Sequence, residues 1–181
     1  MELQTPRLLL RPWKESDAEA LYALAKDPAV GPAAGWYPHK SAENSREVIR
    51  TVLSEPGTFA ILGRRDGLLR GSCGFFPANC QGAGAGELEI GYWVGRPFWG
   101  RGIAPEAVEA LLAHCFTALG AERVWCAYFE GNEKSRRCQE KCGFRPHHTE
   151  DLFWEVTQEQ KRTHFQVIRR AEWLERQGLE E

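Results

Sequence analysis

The 181-residue sequence has no apolar run that approaches the roughly 20 residues of a membrane-spanning helix. A secretion signal is missing as well: the first residues, MELQTPRLLLRPW, hold only a short apolar stretch with charges on both sides. These absences predict a cytoplasmic protein without a membrane partner.

Excess positive charge is also absent. The chain has 23 Lys and Arg against 25 Asp and Glu, which gives a net charge of −2. Dedicated nucleic-acid binders usually show a basic bias, so no nucleic-acid partner is expected.

The six cysteines include no C-x-x-C pair, and the closest two, Cys138 and Cys142, stand at helical spacing. Without a secretion signal they are interpreted as reduced thiols, with neither a disulfide nor a metal site expected. Hydrophobic residues make up 43% and charged residues 27% of the chain, as in ordinary soluble proteins. No repeat or linker divides the sequence, which predicts one domain over residues 1–181.

Apolar periodicity and turn residues predict the element order β-α-α-β-β-β-α-β-α-β, with a further strand in the tail left open. Asp66-Gly67 is a strong hairpin signal between the second and third strands. The predicted strands are Arg7–Trp13, two within Thr58–Pro77, Leu88–Val94, Arg123–Phe129 and one in the tail.

The most informative stretch is WGRGIAPEA, which follows the predicted strand Leu88–Val94. Gly100 and Gly102 allow a tight turn, and Pro105 suits the first turn of a helix. A helix N-terminus offers unpaired N–H groups and the positive end of the helix dipole, so the segment Arg101–Ala104 predicts an anion site.

Two nucleotide motifs are missing at this turn. There is no G-x-x-x-x-G-K-[ST], and the third glycine of G-x-G-x-x-G is absent. The turn also lies mid-chain, whereas a dinucleotide-binding motif normally follows the first strand of its unit.

Other segments stand around the turn in a definite order. TPRLLLRPW opens the chain, GWYPHKS lies between the first two predicted helices, and ELEIGYWV precedes the turn. PEA and then GNEKSRRCQEKCGF follow it.

In this order the segments resemble the GCN5-related N-acetyltransferases, and within them the branch that includes ribosomal-protein N-terminal acetyltransferases. The family signature for acetyl-CoA, [QR]-x-x-G-x-[GA], is matched at Gly102 and Ala104 and departed from at Trp99. The resemblance runs from about Thr5 to Phe144.

The resemblance implies an α+β fold with a mixed, mostly antiparallel sheet of about six to seven strands, flanked by about four helices. A V-shaped splay is expected between strands 4 and 5, which here are Leu88–Val94 and Arg123–Phe129. Gly91 is expected to form a bulge, since glycine within a strand often marks one.

The family pattern places acetyl-CoA in that splay, with its pyrophosphate on the glycine turn. Arg101 and Arg136 are the arginines expected nearest to the phosphates. The residues expected to bind acetyl-CoA are Tyr92, Trp93, Val94, Trp99, Gly100, Arg101, Gly102, Ile103, Ala104, Asn132, Ser135 and Arg136. A cap for the following helix is an equal alternative for Asn132.

Acetyl transfer needs a neutral amine, and amines are largely protonated at neutral pH, so a base or a proton-conducting water chain is expected. Glu89 is the leading candidate, with a buried carboxylate paired to an arginine as the equal alternative. His39 is the second candidate, although a histidine flanked by aromatic residues is more often a packing residue.

The leaving thiolate has no obvious acid. Many members of the family carry a tyrosine four residues before the glycine of the closing G-F, where this chain has Gln139. Ser135 is therefore expected to hydrogen-bond the departing sulfur. A covalent intermediate on Cys138 or Cys142 is not expected, because direct attack is the family pattern.

The predicted function is acetyl transfer from acetyl-CoA to a primary amine in a ternary complex, by a monomer or a homodimer. The acceptor is a protein N-terminal α-amine or a small-molecule amine. The alternative is a non-catalytic module that binds acyl-CoA or has a regulatory role. The departures from the family pattern at Gln139 and Trp99 favour this alternative.

Overall fold

A twisted sheet of eight strands forms the centre of the protein. The computed structural model describes residues 1–179. The strands are Leu3–Gln4 (β1), Leu8–Arg11 (β2), Thr58–Gly63 (β3), Leu69–Pro77 (β4), Leu88–Val94 (β5), Arg123–Phe129 (β6), Arg145–Trp154 (β7) and Glu159–Arg169 (β8). Their order across the sheet is β1-β2-β3-β4-β5-β6-β8-β7, and all neighbours are antiparallel except β5 and β6.

Helices cover both faces of the sheet. They are Ala18–Ala25 (α1), Gly31–Ala34 (α2), Ala42–Val48 (α3), Ile103–Thr117 (α4), Glu133–Lys141 (α5) and Arg170–Gln177 (α6). A π-helical turn, Ile49–Leu53, continues α3, and 3₁₀ turns occupy Glu15–Asp17 and Arg96–Phe98.

The predicted α+β class and the mixed, mostly antiparallel sheet are confirmed, but the predicted element counts are low. Two of the eight strands escape the periodicity signal for different reasons: β1 has two residues, and β7 is a polar edge strand, RPHHTEDLFW. The helices beyond the predicted four are the single turn α2, inside the Gly/Pro-rich loop Val30–Lys40, and α6, which lies where the tail sequence allowed a short helical end.

The expected splay lies between β5 and β6. The two parallel strands pair only from Leu88 to Ile90 against Val124 to Cys126, although both continue further. The bulge expected at Gly91 is wrong, because β5 pairs with β4 in unbroken register from Leu88 to Val94. The cleft opens because β6 diverges from β5 after Ile90, whereas β5 stays paired with β4 along its other edge.

The two faces of the sheet carry separate hydrophobic clusters. On one side, which we call the α4 face, Ile90 and Cys126 pack with α4, α5 and α6. On the other side, the α1 face, Leu21 and Ile49 pack with neighbouring strands. Because side chains alternate along a strand, even-numbered residues of β5 and β6 point to the α4 face and odd-numbered ones to the α1 face. The cleft between the strands joins the two faces.

Of the helices within residues 1–179, none has the length and the apolar character needed to cross a membrane.

Candidate active site

The glycine turn before α4 presents a row of free backbone amides. Gly100 and Gly102 have φ values of 73° and 72°, a left-handed conformation that side chains disfavour. Within residues 1–179, the N–H groups from Gly100 to Ala104 have no hydrogen-bond acceptor. Such amides at the N-terminus of a helix of 15 residues form a site for a phosphate-type anion.

Arg7 holds the turn in this conformation from β2's side. Its guanidinium donates to the carbonyls of Arg101 (2.9 Å) and Gly102 (3.2 Å) and to the Glu106 carboxylate (2.6 Å). Glu106 also accepts a hydrogen bond from the Thr5 hydroxyl at 2.5 Å. Because these bonds occupy the carbonyls on one side of the turn, its amides stay directed to the other side. Sequence reasoning did not assign this role, although both segments, TPR and PEA, were noticed.

Arg7→Ala tests that arrangement. We expect the dissociation constant for acetyl-CoA to rise about tenfold with little change in kcat, because two hydrogen bonds from a charged donor to the turn are lost. The measurement is titration calorimetry with acetyl-CoA. Arg64→Ala is the matched control, since the exposed Arg64 bonds the Thr5 carbonyl and not the turn. Equal affinity in the Arg7 variant and in the control would contradict the role.

Trp99 and a neighbouring cation lie beside the turn. The Trp99 indole donates to the Val94 carbonyl (2.7 Å), and the Lys134 ammonium lies 3.5 Å from the centre of the Trp99 ring. Arg136, by contrast, is bound within its own helix to Glu133 and Glu140. Lys134 is therefore a cation beside the turn that sequence reasoning missed. Arg101, within the turn itself, is exposed.

The backbone of β5 offers polar groups to the cleft. The Gly95 N–H donates to Arg70 of β4 (2.8 Å), so alternate residues, including Trp93, direct their backbone groups toward β4. The backbone groups of Tyr92 and the N–H of Val94 then face β6, where the ladder has ended, while the Val94 carbonyl is taken by the Trp99 indole. The Trp93 side chain packs on Trp36, with ring centres 5.4 Å apart. Of the expected binding residues Tyr92, Trp93 and Val94, it is Tyr92 and Val94 whose backbone reaches the cleft.

On the α4 face, the Tyr92 hydroxyl meets Ser135. Its oxygen lies 2.9 Å from Ser135 Oγ, which also accepts from the Gln139 amide at 3.1 Å. The same amide donates to the Ala127 carbonyl (2.9 Å), immediately beyond the paired part of β6. Burial raises the pKa of Tyr92, so its hydroxyl keeps its proton. Gln139 thus links α5 to β6 at the point where the two strands separate. The Tyr92 side chain is a further polar group there, and sequence reasoning assigned it no role.

On the α1 face, Glu89 is half-buried without a cation. It makes no ion pair or side-chain hydrogen bond with any of residues 1–179. Burial, together with the negative charge of Glu150, raises the pKa of Glu89 to about 7. A carboxylate with this pKa can accept a proton near neutral pH.

An ion pair with an arginine was the alternative considered for Glu89, but it is Glu87 that forms such a pair. The Glu87 carboxylate accepts from Arg123 (2.6 Å) and from the Trp125 indole (2.6 Å). Burial opposes ionisation of Glu87, but these hydrogen bonds outweigh it and hold its pKa below the usual value. The two glutamates therefore have different environments.

His39 and Asn132 have identifiable structural contacts. His39 packs on Trp36 (5.2 Å between ring centres) and bonds the buried hydroxyl of Ser45 at 2.7 Å. Burial lowers the pKa of His39, which favours the neutral ring. Asn132 caps α5 by accepting from the Ser135 N–H (3.2 Å), and its amide donates to the carbonyl of Ala33 (3.3 Å).

A hydrogen bond with Cys142 lowers the pKa of the buried Cys138 thiol, and the same bond raises the pKa of Cys142. Burial raises the pKa of Cys115 to about 12 and that of Cys80 to about 11. In the part of the chain that the structure describes, no group of three or more His, Cys, Asp or Glu could hold a metal ion.

Side chains from distant segments meet at the outer end of the cleft. The Trp154 indole of β7 donates to the Gly35 carbonyl (2.6 Å), and the Tyr37 hydroxyl donates to the Thr157 carbonyl (3.0 Å). The Gly/Pro-rich loop and the β7–β8 hairpin together form a strap, Gly35–Tyr37 with Trp154–Thr157, at the border of the α1 face.

A splayed parallel pair followed by an amide-lined turn defines the acetyltransferase class that the sequence resembles. The family model described as an acetyltransferase (GNAT) domain matches residues 7–145. The chain therefore belongs to the GCN5-related N-acetyltransferase family, and the expected N-acetyltransferase enzyme class is confirmed.

Particular relatives support this placement. The uncharacterized N-acetyltransferase p20 of Bacillus licheniformis is 35% identical over 127 residues, 67% of this chain and 70% of its own. YdaF of Bacillus subtilis, provisionally named a ribosomal N-acetyltransferase, is 43% identical over 58 residues, 32% of each chain. The fold matches the ribosomal-protein-S5-alanine acetyltransferase of Vibrio fischeri with a TM-score of 0.73 at 17% identity, over 96% of this chain and 98% of that one. The last two proteins are named for ribosomal acetylation, as is the branch that the sequence resembles.

Proposed function

We propose that the protein transfers an acetyl group from acetyl-CoA to a primary amine by direct attack in a ternary complex. The observation that carries this proposal is the placement of unlike groups on the two faces of one cleft. Glu89, which has no cation partner, lies on the α1 face, and the pair Tyr92–Ser135 lies on the α4 face.

The α4 side suits the donor. The free amides of the turn, from Gly100 to Ala104, would receive the pyrophosphate, with Lys134 and Arg101 as neighbouring cations. The backbone of Tyr92 and Val94 would bond the pantetheine arm in the cleft. A backbone N–H directed at the thioester oxygen would stabilise the developing oxyanion, by about 3–4 kcal/mol for one such donor.

The α1 side suits the amine. Glu89 would accept the proton that the amine must lose, either from the arriving ammonium or during attack. The amine nitrogen then attacks the thioester carbonyl, the carbon–sulfur bond breaks, and the electron pair leaves on sulfur. The hydroxyl of Ser135, bonded to that of Tyr92, would donate a hydrogen bond to the departing sulfur.

Ser135→Ala tests the leaving-group side. We expect kcat to fall about tenfold while the KM for the amine stays the same, because the hydrogen bond forms on charge that develops at sulfur. Tyr128→Phe is the matched control, since Tyr128 points to the same face and its hydroxyl has no hydrogen-bond partner within residues 1–179. An unchanged kcat in the Ser135 variant would remove that residue from the mechanism.

The acceptor is a protein N-terminal α-amine or a small-molecule amine. A panel of amines and N-terminal peptides, read by thiol release from acetyl-CoA, tests the function and sorts the acceptors. Release of CoA without acetylation of any amine would overturn the proposal in favour of an acyl-CoA-binding module.

A further inference from the structure

A hydrogen-bonded row of His147, His148 and Glu150 lies on β7 beside the cleft. Nδ1 of His147 is 2.8 Å from Nδ1 of His148, and Nε2 of His148 is 2.6 Å from the Glu150 carboxylate. The same carboxylate accepts from the Gln81 N–H at 3.0 Å. Glu150 is therefore held by two donors from two different segments.

The row shares a face of the sheet with Glu89. Glu89 is opposite Trp125 in the β5–β6 register, and Trp125 is opposite Val167 of β8. His148 and Glu150 are opposite Phe165 and Thr163, which alternate with Val167 on the same side. The Trp125 ring also touches both histidines, at centroid distances of 4.7 and 6.1 Å. Glu89 is thus the strand neighbour of Trp125, and Glu150 is bonded to a histidine that touches the same tryptophan on the α1 face.

The thiols and Glu87 near Glu89 add no unpaired charge. Burial raises the pKa of Cys80 to about 11 and raises that of Cys126 well above its usual value, so both thiols are uncharged. Glu87 is neutralised by Arg123. The titratable groups around the pair are Cys80 and Glu87 from the β4–β5 connection, Arg123 from β6, and His147 and His148 from β7, while Cys126 of β6 lies on the α4 face.

The bonds of Glu150 favour a fixed negative charge. The hydrogen bond from His148 holds the pKa of Glu150 below its usual value. If His147 donates to Nδ1 of His148, then His148 donates from Nε2 to Glu150.

We propose that Glu150 is a positioning residue that acts through Glu89: the histidine pair holds its charge beside Glu89 and thereby makes Glu89 the stronger base. The role rests on the proposed function, in which Glu89 takes the proton of the amine. The like charge disfavours the ionised form of Glu89 and so raises its affinity for that proton. Nothing in this role requires Glu150 to touch the substrate.

Glu150→Gln tests the role through the pH dependence of kcat/KM with acetyl-CoA and the best amine of the panel. We expect the acid limb of the profile to move to lower pH by about half a unit or more, because one nearby negative charge is removed. The plateau should fall as well, since a weaker base accepts the proton less readily. A purely structural role would lower the whole profile without moving its limb, and that result would overturn the inference.

Glu130→Gln is the matched control. Glu130 also pairs with a histidine, His164 of β8, but it lies on the α4 face of the sheet. The acid limb of kcat/KM in Glu130→Gln should stay at the wild-type pH. An equal shift of the limb in both variants would overturn the inference. Glu89→Gln separates the two levels of the argument. Full activity in that variant would sink Glu89 as the base, whereas an inactive variant together with an unmoved limb in Glu150→Gln would sink only the role of Glu150.

Discussion

Glu89→Gln is expected to lower kcat/KM at least about tenfold at pH 7, because the amide cannot accept the proton of the amine. In the wild-type protein, kcat/KM should rise with pH through about 7, the pKa to which burial and then the charge of Glu150 raise Glu89. The variant should lack that limb. Initial rates between pH 5.5 and 9 with a fixed amine measure both effects, and an unchanged profile would remove Glu89 from the mechanism.

Thermal unfolding shows whether the same variant stays folded. The pKa of Glu89 is raised in the folded protein from 4.5 to about 7, so the folded state holds more protons than the unfolded state between those values. Stability from this group is therefore complete below pH 4.5 and is lost as the pH rises through about 7. We expect Glu89→Gln to melt at a higher temperature than the wild-type protein at pH 8 and to show little difference near pH 4.5. An inactive variant that is more stable at pH 8 excludes unfolding as the cause.

Gly102→Val is expected to weaken acetyl-CoA binding at least about thirtyfold, equivalent to about 2 kcal/mol. Its φ of 72° is left-handed, which costs a side chain about 1–2 kcal/mol, and more for a β-branched one. A Cβ at this position would also lie 3.3 Å from the Arg7 guanidinium that holds the turn. The turn would have to rearrange, and its free amides would lose their common direction.

Gly100→Val is the matched control for that experiment. Its φ of 73° imposes a similar backbone cost, but a Cβ there meets no atom of the described chain within 4 Å. We expect its affinity to fall by less than about tenfold. Titration calorimetry compares the two variants, and equal losses would show that the contact with Arg7 is not what makes Gly102 necessary.

The geometry of the glycine turn could be predicted well from the sequence, because it depends on local backbone. The order strand, glycine turn, helix is written in consecutive residues, and the structure places free amides where the pattern indicated them. The Arg7 contact could not be found in this way, since Arg7 and Gly102 are far apart in the chain and exposed arginines are common. TPR at the chain start and PEA after the turn were visible, but only the fold joins them.

The acceptor side was predicted less well, because its residues come from separate strands. Glu87 and Glu89 alternate onto one face of the chain, and the sequence alone could not decide which of the two is paired to an arginine. That depends on the register between β5 and β6. The polar edge strand β7 was missed as a strand, and its residue Glu150 was missed with it. Gly91 shows the reverse error, since the residue type indicated a bulge and the continuous partner β4 excludes one.

The strap at the outer end of the cleft has a consequence for how this protein could acquire new substrates. It joins the Gly/Pro-rich loop to the β7–β8 hairpin through the contacts of Trp154 and Tyr37, none of which involves the glycine turn or Arg7. Changes in loop length or in these aromatic residues can reshape the entrance for the amine while the cofactor cradle stays intact. Residues that select the amine can therefore change without altering the residues of the glycine turn, because the two sets lie in different parts of the fold.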